Sequence, residues 1–122
     1  MGSCNEGYHC DRCGEYVENV RDSELYLRFV LGAVPAGELP REPERHIHCC
    51  PEFAQFIVDE GFFPVRCADP ELDKALLPDD VRESQERLFT AAWKRLQEVA
   101  GSGVPVDAYP LPAEAIEAAI RG

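Results

Sequence analysis

Two pairs of soft donor side chains, Cys10-x-x-Cys13 and His46-x-x-Cys49, constrain this chain more than any other feature of its sequence. Two residues between cysteines put both thiolates on one turn, where they can point at a single ion, and Gly14 follows where a tight turn needs positive φ. The second pair, His46 and Cys49, falls just before Pro51, a residue suited to the first position of a helix, with Cys50 as its cap. Zinc accepts such a mixture of sulfur and nitrogen donors in tetrahedral geometry, with Zn–S near ~2.3 Å and Zn–N near ~2.0 Å. One Zn2+ per chain, held by Cys10, Cys13, His46 and Cys49, is therefore expected. Four protein ligands leave no place for a reactive water, so the site is expected to be structural. The second pair is crowded: His48 and Cys50 carry equally good donor atoms and stand as alternates.

Composition bears on the state of those thiols. Met1 to Cys13 lacks the basic start and apolar run of a secretory signal, and no stretch approaches a membrane span, which leads us to expect a cytoplasmic protein with reduced cysteines. Grouped thiols in that setting suggest metal before disulfide, and the absence of a βαβ pattern around Cys10 and Cys13 argues against a redox dithiol. Of the six cysteines, only Cys67 lies beyond residue 61. It is expected to be a buried thiol, and Cys4 to lie in a loose terminus; Cys50 is read first as a cap or packing residue. His9 reads as a solvated neighbour of the knuckle.

The 122 residues suit one domain with one modest core. Residues 16–20 and 25–31 read as a β-hairpin, because Leu25, Leu27, Phe29 and Leu31 alternate along one face. Residues 32–43 carry three prolines and two glycines and form an irregular excursion, followed by an extended piece at 45–48. A helix then starts at Pro51, with Phe53, Phe56 and Ile57 at helical spacing and Gly61 as its stop. Residues 62–77 read as loop, with a short strand at 63–66. The clearest helix is 80–100, with Asp80 and Glu83 as a capping box, Glu83 and Arg87 as an i,i+4 pair, and an apolar stripe of Val81, Leu88, Phe89, Ala92, Leu96 and Val99. Trp93 sits beside that stripe and should be half-buried. A last short helix is expected at Ala113–Arg121, presenting Ile116, Ala119 and Ile120.

A C-x-x-C knuckle, a hairpin and a helix whose start supplies two more ligands together resemble a treble-clef zinc finger. The resemblance covers residues 8–61, half the chain, and implies ligand roles for Cys10, Cys13, Cys49 and His46; the 32–43 insertion is long for a minimal finger. The expected fold class is accordingly α+β: a zinc-finger-like subdomain at 8–61 and a helical extension at 62–122 packed on it, within a single domain 1–122.

Twenty-three acidic and twelve basic side chains give a formal net charge of -11. Such a surface repels phosphate backbones and anionic membranes and favours a protein partner with a basic surface. No pairing of carboxylates with histidine, no serine motif and no phosphate loop indicates catalysis. The leading expectation is a non-catalytic, zinc-stabilised acidic adaptor or regulatory protein-binding module. The alternatives are a nucleic-acid-binding zinc finger, using Arg12, Arg21, Arg28, Arg41 and Arg45 with Tyr8, Tyr16 and Tyr26; an inhibitor or immunity-type protein that imitates nucleic acid; and a thiol redox protein or metal-dependent hydrolase.

Overall fold

The computed structural model describes residues 9–121, so Cys4, Tyr8 and the opening residues lie outside the described part. Four helices organise it: α1 (Glu24–Val30), α2 (Pro51–Ala54), α3 (Asp79–Val99) and α4 (Ala113–Arg121), joined by irregular segments that carry five single 3-10 turns.

The described residues contain no strand, and the α+β expectation is corrected to an all-helical architecture. The reason lies at residues 23–33. The Ser23 hydroxyl accepts the N–H of Tyr26 at 3.2 Å, an N-cap, and Glu24 and Arg28 place charges of the favourable sign in the first and last turns. At the other end Gly32, with φ +84°, donates to Phe29 O while the Ala33 N–H reaches Arg28 O at 2.9 Å, a Schellman closure. Alternation of Leu25, Leu27 and Phe29 does not select a strand over these signals, because Tyr26 and Val30 put apolar groups on the opposite strand face as well. Helical spacing then places Leu25 above Phe29 and Leu27 above Val30, and all four are buried. Among the described residues extended pairing survives only as two isolated antiparallel bridges, His9 with Tyr16 and Ser23 with His46. The strands expected at 16–20 and 63–66 do not form, and the helix begun at Pro51 stops at Ala54, well short of Gly61.

α3 is the longest element and receives the others. Phe89, Ala92, Leu96 and Val99 of α3 share one cluster with Leu27, Phe29 and Val30 of α1, with Ile47 and with Ala54 of α2. Aromatic rings complete it: Phe56 and Phe53 stack on Phe89, and Phe62 meets Trp93 edge-on at 5.5 Å. Trp93 is half-buried, as expected, but Leu88 is only half-buried and Val81 is exposed. The expected capping box is absent too: α3 begins at Asp79, whose carboxylate accepts from Arg82. Arg87 turns away from Glu83 and donates to the carbonyls of Ala119 and Ile120, capping the last turn of α4. Arg21 does the same for α3, with its guanidinium 2.9 Å from Ala100 O, while Gln97 returns a bond to Arg21 O. These long-range caps satisfy carbonyls that helix geometry leaves without partners.

Candidate metal centre

The knuckle forms because Gly14 adopts φ +81°, which lets its N–H return to Cys10 O at 2.8 Å while the Cys10 N–H reaches Glu15 O. The second donor pair arrives on the 3-10 turn Ile47–Cys49, which opens at His46 and closes onto Cys50. The Asp11 N–H donates to Glu44 O and joins the knuckle to this segment, while the Glu24 N–H donates to Arg45 O and ties the segment to α1. As a result Cys10, Cys13, His46 and Cys49 gather their donor atoms within 4.8 Å of one another. A cluster of this composition can hold a metal ion and is compatible with a zinc finger.

Histidine tautomer is decided by the fold. His46 Nε2 lies 2.8 Å from Tyr16 O, and a carbonyl only accepts, so the ring proton sits on Nε2. The Nδ1 lone pair is left facing Cys13 Sγ at 3.3 Å and Cys49 Sγ at 3.7 Å. A tetrahedral ion with the bond lengths above separates nitrogen and sulfur ligands by about 3.5 Å, so the observed edges fit such a shell. A carbonyl that orients the outer nitrogen is also the usual support of a ligating imidazole.

The two residues inside the knuckle motif lock it in place. Asp11 binds the Arg45 guanidinium through both carboxylate oxygens, at 2.6 and 3.0 Å. Arg12 holds Glu52 in the same bidentate way, at 3.0 and 2.7 Å, and also donates to Cys49 O. The hydrogen bond from Arg45 holds the Asp11 carboxyl below the usual range, and that from Arg12 does the same for Glu52. The sequence offered Arg12 and Arg45 only as nucleic-acid contacts and left Asp11 and Glu52 unmarked; the signal was the opposite charges at matched positions in and beside the two donor pairs.

Electrostatics within the cluster are divided. Burial opposes ionisation of Cys10, but the backbone N–H groups of His46, Arg12 and Cys13 outweigh it and bring the thiol down to about 6. Cys49 is pushed up to about 12, first by burial and then by Cys10 and Cys13 beside it. Several thiolates side by side repel one another, and a divalent cation removes that conflict.

The alternates lie elsewhere. Cys50 is fully buried outside the cluster, its thiol pushed up to about 12 by burial and by the nearby Glu24 carboxylate. It caps α2 through backbone alone. His48 is exposed and stacks on Phe62 at 4.9 Å, and His9 is exposed and stacks on Tyr16. Cys67 is half-buried, with its thiol against Asp69 O, and no disulfide links the described cysteines.

Behind the cluster sits a polar layer. The Ser23 hydroxyl donates to Glu44 at 2.7 Å, and Glu24, fully buried, pairs with Arg28. Burial pushes the Glu44 carboxyl up, and the neighbouring Glu24 adds to that.

Compared with known proteins, the chain matches no family model, no curated protein and no solved structure. No helix among the described residues is long and apolar enough to cross a membrane.

Proposed function

We propose that this chain is a zinc-stabilised, acidic protein-binding module that catalyses nothing itself. The observation that carries this reading is the convergence of four protein donors, three thiols and one correctly oriented imidazole, within 4.8 Å. Zinc held there has a full shell, with no open position for water or substrate, so its contribution is to folding. Resemblance to a treble clef now rests on the knuckle and on the donor pair before a helix, without the hairpin.

A protein partner is favoured over nucleic acid by what the arginines of the first half do. Arg12, Arg28, Arg41 and Arg45 are each paired with an acidic side chain, and Arg21 is committed to the end of α3. That leaves the net charge of -11 to act at the surface, attracting basic partners and repelling phosphates. A cytoplasmic setting, where thiols stay reduced, suits the site.

Metal analysis of the purified protein and X-ray absorption at the zinc edge test the proposal. One zinc bound by three sulfurs and one nitrogen is expected. A shell of three protein donors and a water, accompanied by hydrolytic turnover, would replace it with a metal-dependent hydrolase.

A further inference from the structure

The 3-10 turn Ile47–Cys49 faces three ways. His46 and Cys49 send their donor atoms into the metal cluster, on the same side of so tight a turn. Ile47 is buried in the core and pins the turn to the rest of the protein. His48 points elsewhere: its ring is exposed and stacks on Phe62, with centroids 4.9 Å apart and planes 18° from parallel. A single peptide bond therefore separates the metal donor Cys49 from an aromatic stack.

Phe62 carries that contact away from the cluster. Its ring meets Trp93 edge-on at 5.5 Å and forms part of the wall of a cleft of about 510 Å³, which Val58, Val65 and Ala75 also line. The main chain beneath the ring is held independently of the metal centre. The Phe62 N–H closes a turn on Asp59 O at 3.0 Å, the Asp59 carboxylate accepts the Gly61 N–H and pairs with Lys94 of α3, and the Val58 N–H donates to the Thr90 hydroxyl. Phe62 is only 5% exposed although Gly61 and Phe63 on either side of it lie in water, and the His48 ring covers one of its faces. That cover is the part of the cleft wall which depends on the donor turn.

The His48 ring has two arrangements, stacked on Phe62 or turned into water, and the rotation of its turn decides between them. An ion bound by His46 and Cys49, on either side of His48, fixes that rotation. Packed side chains with two discrete arrangements are what carries coupling between sites. We infer that His48 is a positioning residue that links occupancy of the metal centre to the cleft: the metal-bound turn holds the imidazole over Phe62, and Phe62 sets the cleft wall and the surroundings of Trp93. The inference rests on the metal-binding reading above and gives a role to a histidine that lies outside the cluster.

Trp93 is the single tryptophan, so the emission of the full chain reports on this spot alone. The experiment is a zinc titration of chelator-treated protein at fixed pH, followed by Trp93 emission, with bound zinc counted in parallel by a chromophoric chelator. Emission should move to shorter wavelength and saturate at one equivalent. His48→Ala, at an exposed position, should still bind one zinc and lose most of that shift. Linked equilibria are reciprocal, so its zinc affinity should also fall by about threefold, the worth of a weak aromatic stack. His48→Phe, which stacks but offers no donor atom, should restore both. A full shift in His48→Ala overturns the inference. Loss of stoichiometric zinc in both variants makes His48 a ligand and overturns it as well. The chelator count separates the two readings: one bound zinc with an unchanged Trp93 sinks the coupling alone, whereas no bound zinc in the full chain sinks the zinc reading and the coupling with it.

Discussion

Arg12 grips Glu52 through two parallel hydrogen bonds, at 3.0 and 2.7 Å, and so ties the knuckle that carries Cys10 and Cys13 to the first turn of α2, directly after Cys49. A clamp of this kind sets the distance between donor pairs before any ion enters. Arg12→Ala should therefore lower zinc affinity by about tenfold while the ligand set stays the same. Competition with a chromophoric chelator measures the affinity. Arg12→Lys should recover only part of it, since an ammonium cannot reproduce the fork. Equal affinity in all three proteins would remove the clamp from the account of the site.

Donor substitutions should divide sharply from substitutions at nearby cysteines. Cys10→Ser and Cys13→Ser are expected to lose stoichiometric zinc and to loosen the 9–54 region, because binding and local folding share one free energy. Cys50→Ser and Cys67→Ser should keep one equivalent, as both thiols lie outside the cluster. Mass spectrometry under native conditions reads the stoichiometry.

Proton release should be smaller than a count of thiols suggests. At pH 7 the Cys10 thiol, brought down to about 6, is already ionised, whereas Cys49, at about 12, still holds its proton. Zinc binding at neutral pH should thus expel no proton from Cys10 and one from Cys49. Affinity should rise with pH, because every remaining proton competes with the ion. As pH falls through about 6, Cys10 regains its proton, one more must be expelled, and the pH dependence steepens. Calorimetric titrations in buffers of different ionisation enthalpy count the protons.

Core substitutions should report which face of α3 is inside. Leu96→Ala, at a fully buried position, is expected to cost about 2–5 kcal/mol. Leu88→Ala should cost less, because that side chain is only half-buried. Denaturant unfolding of the zinc-loaded protein gives both values, and a reversed order would mean that α3 is rotated from the position described.

The pair formed by buried Glu24 and half-buried Arg28 gives a further check. Arg28→Met would leave the Glu24 carboxylate uncompensated in the interior and should destabilise the protein by on the order of 3 kcal/mol. Replacing both, as Glu24→Gln with Arg28→Met, should recover much of that loss. Thermal unfolding of the single and double variants separates the outcomes.

Donor chemistry was legible in the sequence because it is local. A thiol or an imidazole carries its ligating atom whatever the fold does, and the two-residue spacing already places Cys10 and Cys13 on one turn, with the positive φ of Gly14 following from the same turn. The long helix and the final one were legible too, since their apolar periodicity runs over enough residues to separate 3.6 from 2. Seven residues at 24–30, five of them apolar or aromatic, do not separate those periods. There the caps at Ser23 and Gly32 decided for helix, and the packing of Leu27, Phe29 and Val30 against α3 uses the result. Tertiary structure alone decided which histidine faces Cys13 and Cys49. His46 and His48 are chemically alike, but the carbonyl of Tyr16 meets the ring of one and Phe62 the ring of the other. Cys49 and Cys50 differ in the same way: one turns into the cluster, and the other is sealed under it beside Glu24. Adjacent residues of one type are told apart by what lies across from them, and for this chain those neighbours come from segments tens of residues away.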